Sequence, residues 1–85
     1  MEPVQKLCDA IRNNPKDIRF SDACKVAEKL GYVKGGTGGH TAYARPGDPI
    51  GLNFQKKKDG KIPAYQGEQL VDAIERHEAR LSNET

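Results

Sequence analysis

His40 is the residue whose type most directly offers proton-transfer chemistry, because an imidazole titrates near pH ~6.5 and both takes and gives a proton in neutral water. It follows Gly35, Gly36, Thr37, Gly38 and Gly39, whose four glycines permit a tight reversal and leave the histidine uncrowded. The glycines could also bring backbone N–H groups close to a phosphate. The lysine and hydroxyl residue of a P-loop are missing, however, so the segment reads as a hairpin turn. A second set of candidates is cationic. Lys56, Lys57, Lys58 and Lys61 crowd one flexible loop, where they could grip phosphates, and Lys34 and Arg45 add charge around the expected sheet. His77, between Ile74 and Leu81, falls on the expected buried side of the last helix and reads as a core histidine. Cys8, Cys24, His40 and His77 show no short paired spacing, so no metal site is expected.

The cations are unevenly distributed. Residues 1–33 carry six basic and five acidic groups, residues 34–63 six and two, and residues 64–85 two and five, a polarity of +1, +4 and −3 within a net charge of +2. Such a balance argues against broad wrapping of a polyanion and for a local basic site in the middle third. The acidic tail should turn away from that partner. No apolar run approaches the ~20 residues of a membrane span, and Met1, Glu2 and Pro3 do not resemble a secretory start, so the expectation is a cytoplasmic protein. In a reducing cytosol Cys8 and Cys24 stay thiols and act as small core hydrophobes.

With 85 residues and a hydrophobic fraction of 35%, the chain can build one small core and no second domain. Val4, Leu7, Cys8 and Ile11 have helical spacing, and Asn13, Asn14 and Pro15 stop that helix. Ser21 is the expected N-cap of a second helix built on Ala23, Val26, Ala27 and Leu30, which Gly31 closes. Tyr32 to Lys34 predict a brief strand, and a second strand starts near His40. After the turn at Pro46 to Pro49, Ile50, Leu52 and Phe54 alternate with polar or small residues, the period of a strand buried on one face. A last helix is expected from about Tyr65 to Leu81, burying Leu70, Val71, Ile74 and Leu81 and pairing Asp72 with Arg76 on its exposed face. The order is helix, helix, three strands, helix, an α+β domain.

Register fixes where His40 belongs. Setting Arg45 opposite Ile50 pairs Tyr43 with Leu52 and Thr41 with Phe54, leaving His40, Ala42, Asn53 and Gln55 on the open face. Tyr43 brings more apolar area to a small core than Ala42 could, so this register is expected and His40 points outward.

Several segments resemble the HicA family of toxins from bacterial toxin–antitoxin systems, over nearly the whole length. They are Asp17, Ile18, Arg19 and Phe20 leading into the helix that ends Leu30, Gly31, Tyr32; the glycine turn with His40; the strand Leu52 to Gln55; and Pro63, Ala64, Tyr65 and Gln66. The resemblance implies a fold like the double-stranded-RNA-binding domain, with helices packed on one face of a three-stranded antiparallel sheet. It places the family's catalytic histidine at His40 and its glycine at Gly38. Gly39 replaces the usual serine, and Thr41 and Ala42 stand where many members have basic or bulkier apolar residues. It further implies an mRNA-cleaving endoribonuclease that needs no metal or small-molecule cofactor, arrests growth, and is neutralised by a HicB-like antitoxin covering the histidine. In that chemistry His40 assists attack of a 2′-hydroxyl on its neighbouring phosphate while Lys or Arg stabilises the growing negative charge. Tyr43, a lysine or water would supply the other proton transfer.

Two other function classes stand beside this one. A non-catalytic RNA-binding module would read duplex shape and phosphates through the same lysines and tolerate loss of His40. A protein-interaction domain would show no RNA affinity even at low salt.

Overall fold

The computed structural model describes residues 3–35 and 40–83. Its elements are α1 (Pro3–Asn13), α2 (Phe20–Lys29), β1 (Val33–Gly35), β2 (His40–Arg45), β3 (Asp48–Gln55) and α3 (Ala64–Asn83). The three strands form one antiparallel sheet in the order β1-β2-β3. The result is a small α+β domain of three helices and a three-stranded antiparallel sheet. Among the described residues no helix is long and apolar enough to cross a membrane.

One face of the sheet makes the core. Thr41 pairs with Phe54 and Tyr43 with Leu52, and all four are buried, with the Tyr43 and Phe54 rings 5.8 Å apart and tilted by 54°. Helix α2 adds Ala23, Val26 and Ala27 to this core and α3 adds Leu70, Ala73 and Ile74. Helix α1 leans on α2 and α3 through Cys8 and Ile11, and Arg12 ties it to α3 through Glu78 at 2.6 Å. The expected apolar spacings therefore mark the buried faces. Val71 is packed on the core only in part, and the side chains of Val4 and Leu81 lie outside the described residues.

The ends of α2 show local and tertiary control side by side. At its C-terminus Gly31 adopts φ +97°, its N–H bonds Glu28 O at 3.1 Å and the Tyr32 N–H bonds Ala27 O at 3.1 Å, the paired bonds of a Schellman motif. At the other end Ser21 is not the cap. The helix starts two residues earlier, Arg19 holds the capping position in extended geometry without a side-chain bond, and the Phe20 N–H reaches Gly60 O at 2.9 Å. A carbonyl forty residues away thus satisfies the first N–H of the helix.

The β2–β3 register is the expected one from His40 opposite Gln55 to Tyr43 opposite Leu52. It shifts between Tyr43 and Arg45, so Arg45 pairs with Asp48 rather than Ile50. Asp48 then folds back on the hairpin, its Oδ1 accepting the Ile50 N–H at 3.0 Å and its Oδ2 the Tyr32 hydroxyl at 2.7 Å. Arg76 joins this pair across the fold, 3.5 Å from Asp48 and 3.4 Å from the Tyr32 oxygen. It bridges α3 to the hairpin instead of making the expected surface pair with Asp72, because Asp48 is almost fully buried and needs a charged partner.

Candidate nucleic-acid interface

The interface is built at the end of the sheet where β2 begins and β3 ends. His40 heads β2 in register with Gln55, the last residue of β3, and Lys56 follows directly. By strand parity His40 shares a face with Ala42 and Asn53, opposite to Thr41 and Tyr43. Its side chain lies outside the described residues, as do residues 36–39 with Gly38 and Gly39.

The loop that carries the lysines is braced by hydrogen bonds. Lys57 N–H bonds Lys61 O at 2.8 Å, Gly60 N–H bonds Lys57 O at 2.9 Å, and the Asp59 carboxylate accepts the Lys61 N–H at 3.0 Å. Gly60, at φ +83°, provides the left-handed turn. The loop is also pinned to the α1–α2 connector, where Arg19 bridges Lys61 and the Ile62 N–H bonds Ile18 O at 3.0 Å. Ile18 and Ile62 are both buried beneath it.

Four lysines close in sequence thus have two different fates. Lys61 is paired with Asp17, which raises its pKa and lowers that of Asp17 through their hydrogen bond, and Lys57 lies 3.8 Å from Asp59. Lys56 and Lys58 are exposed and form no ion pair among the described residues. The pairing also adds a cation that the sequence reading missed. Arg19 joins Lys56 and Lys61 around a cleft of about 400 Å³, with Phe20, Ser21 and Asp59 completing its wall. Only the tertiary bridge between residues 19 and 61 brings that guanidinium there.

Arg45 and Lys34 are placed elsewhere. Arg45 ends β2 at the far side from His40, five residues or roughly 17 Å away along the strand. Its guanidinium lies 6.0 Å from the centre of the Tyr32 ring and 3.2 Å from His77 Nδ1. A guanidinium only donates, so that nitrogen accepts, and His77 is half-buried in a structural contact. Lys34 pairs with Tyr43 across β1 and β2 and borders a groove with Cys24, Lys25 and Glu28.

Tyr43 does not serve His40. It is 2% exposed, on the helix-facing side of the sheet, and its hydroxyl donates to Glu28 Oε2 at 2.9 Å. Burial first, and then hydrogen bonds with Cys24 and Glu28, push its pKa far up. At the opposite rim, Gln66 fixes the start of α3. Its Oε1 accepts the Gln55 N–H at 2.8 Å and its Nε2 donates to the Tyr65 hydroxyl at 3.2 Å. Among the described residues no three His, Cys, Asp or Glu side chains gather where they could hold a metal ion. No protein-family model, curated protein or solved structure matches the chain.

Proposed function

We propose that the protein is an RNA-cleaving toxin of the HicA type, with a fold like the double-stranded-RNA-binding domain, His40 as the catalytic group and a HicB-like antitoxin as its restraint. The observation that carries this reading is the β2–β3 register, which sets His40 opposite Gln55, one residue from the lysine loop. The one histidine expected to act and the lysine run from Lys56 to Lys58 thereby share one end of the sheet, without Arg45 and Lys34.

In the proposed step His40 takes the proton of a ribose 2′-hydroxyl. Its oxygen bonds to the adjacent phosphorus and the bond from phosphorus to the 5′ oxygen breaks, which yields a 2′,3′-cyclic phosphate and a 5′-hydroxyl. Lys56 and Lys58, uncommitted to carboxylates among the described residues, offset the charge that grows on the phosphoryl oxygens. With Tyr43 held by Glu28, a lysine or water protonates the leaving oxygen.

Expression of the wild type and His40→Ala side by side tests the reading. A positioned base contributes about 10²- to 10⁴-fold to the rate, so the variant should lose growth arrest and leave messages intact. Equal growth and equal message decay in the two strains would refute a catalytic histidine.

A further inference from the structure

Among the described residues three large apolar side chains remain exposed: Val33 at 65%, Ile50 at 51% and Tyr65 at 60%. Tyr65 is the aromatic one, while Tyr32 and Tyr43 sit in the core at 4% and 2%. An exposed ring on a helix surface would ordinarily be free to rotate. Here the neighbouring Gln66, itself 4% exposed, holds the Tyr65 hydroxyl through Nε2 at 3.2 Å while its Oε1 is anchored on the Gln55 backbone at 2.8 Å. A buried amide thus presents a fixed, open aromatic face, and the hydroxyl, accepting from Gln66, keeps its own proton for another acceptor.

The place where this face is held matters. Gln55 stands in register with His40 and is followed by Lys56, Lys57 and Lys58. The ring is therefore held at the outer edge of β3, close to the point where the strand runs on into the lysines. A flat aromatic surface beside cations suits a nucleobase whose phosphates lie against the ammonium groups. Only an unpaired base can offer its face to the ring, because bases in a duplex already stack on their neighbours.

We propose that Tyr65 is a stacking residue for single-stranded RNA, seating one unpaired base beside the Lys56 to Lys58 run. This rests on the RNA-cleaving reading above and gives that site its substrate class.

The test uses an uncleavable 2′-O-methyl oligoribonucleotide of about ten nucleotides, free and annealed to its complement. Binding is read by fluorescence anisotropy for the wild type, Tyr65→Phe, Tyr65→Leu and Tyr65→Ala, each checked for native circular dichroism. Stacking on an aromatic is worth about 1–3 kcal/mol per base, so Tyr65→Ala should weaken single-strand binding ~5- to 150-fold. Tyr65→Leu should fail similarly because it keeps bulk without a flat face, Tyr65→Phe, which keeps the face but loses the Gln66 anchor, should lose less than either, and duplex affinity should not change. Unaltered single-strand affinity in Tyr65→Ala, or equal loss for strand and duplex, overturns the stacking role. If the wild type binds no RNA, the RNA reading falls and takes this one with it; if His40→Ala abolishes cleavage while Tyr65→Ala binds normally, the stacking role alone falls.

Discussion

Gly67 lies in the first turns of α3, where an alanine would ordinarily favour the helix by about 1 kcal/mol. The structure reverses that sign. A β-carbon at this position would stand 2.0 Å from the Pro15 carbonyl oxygen and 3.0 Å from Ile18 Cδ1. Bringing the first contact even to 3.0 Å requires α3 and the α1–α2 connector to part by 1.0 Å, and the oxygen belongs to backbone that cannot swing aside. Overpacking costs about 1–3 kcal/mol, and a 1.0 Å displacement of backbone belongs at the upper end; offset by the helix preference of about 1 kcal/mol, this leaves Gly67→Ala about 2 kcal/mol less stable than the wild type. In a domain of this size that lowers the melting temperature by roughly 8–16 °C. The displacement would also draw Gln66 away from the Gln55 N–H and loosen Tyr65. Urea unfolding followed by far-ultraviolet circular dichroism measures the difference, with Gln69→Ala at an exposed position of the same helix as a near-neutral control. A Gly67→Ala protein as stable as the wild type, or more so, would refute the close approach of α3 to residue 15.

Asp48 gives a pH-dependent counterpart. The Tyr32 hydroxyl first, then the Ile50 N–H and Arg76, hold its pKa below the ordinary value, so its contribution is complete above the unfolded value of ~3.9 and is lost as the pH falls through the lower folded value. Asp48→Asn should therefore cost about 1.5–3 kcal/mol at pH 7 and progressively less below pH ~4, and a difference that stays constant from pH 7 to pH 3 would contradict the network. For the lysines, replacing Lys56 or Lys58 by Ala should reduce the slope of log affinity for single-stranded RNA against log salt by ~0.7 per lost phosphate contact. Lys61→Ala, whose ammonium is already paired with Asp17, should reduce it less. Unchanged slopes for both Lys56 and Lys58 would remove the loop from the interface.

What the sequence determined by itself were the features that repeat locally. Apolar residues three and four apart marked the buried sides of α1, α2 and α3, because a helix places such residues on one face wherever it packs. Alternation in β3, together with the greater bulk of Tyr43 over Ala42, was enough to set the pairing of β2 and β3, since a slip of one residue would expose every core side chain of the strand. Gly31 closed α2 through bonds to carbonyls three and five residues back, which the local chain encodes completely.

Tertiary structure decided the partners of the polar groups. The first N–H of α2 found the Gly60 carbonyl, Arg76 found Asp48 instead of Asp72, and Arg45 found Tyr32 and His77. Pinning by Ile18 and Arg19 gave that loop its order, and carboxylates at positions 17 and 59 divided its lysines into paired and unpaired ones. The physical reason is the reach of each interaction. Burial follows from the periodicity of one element, whereas a charged or hydrogen-bonding side chain is satisfied by whichever group folding brings within about 3 Å, however distant in the chain.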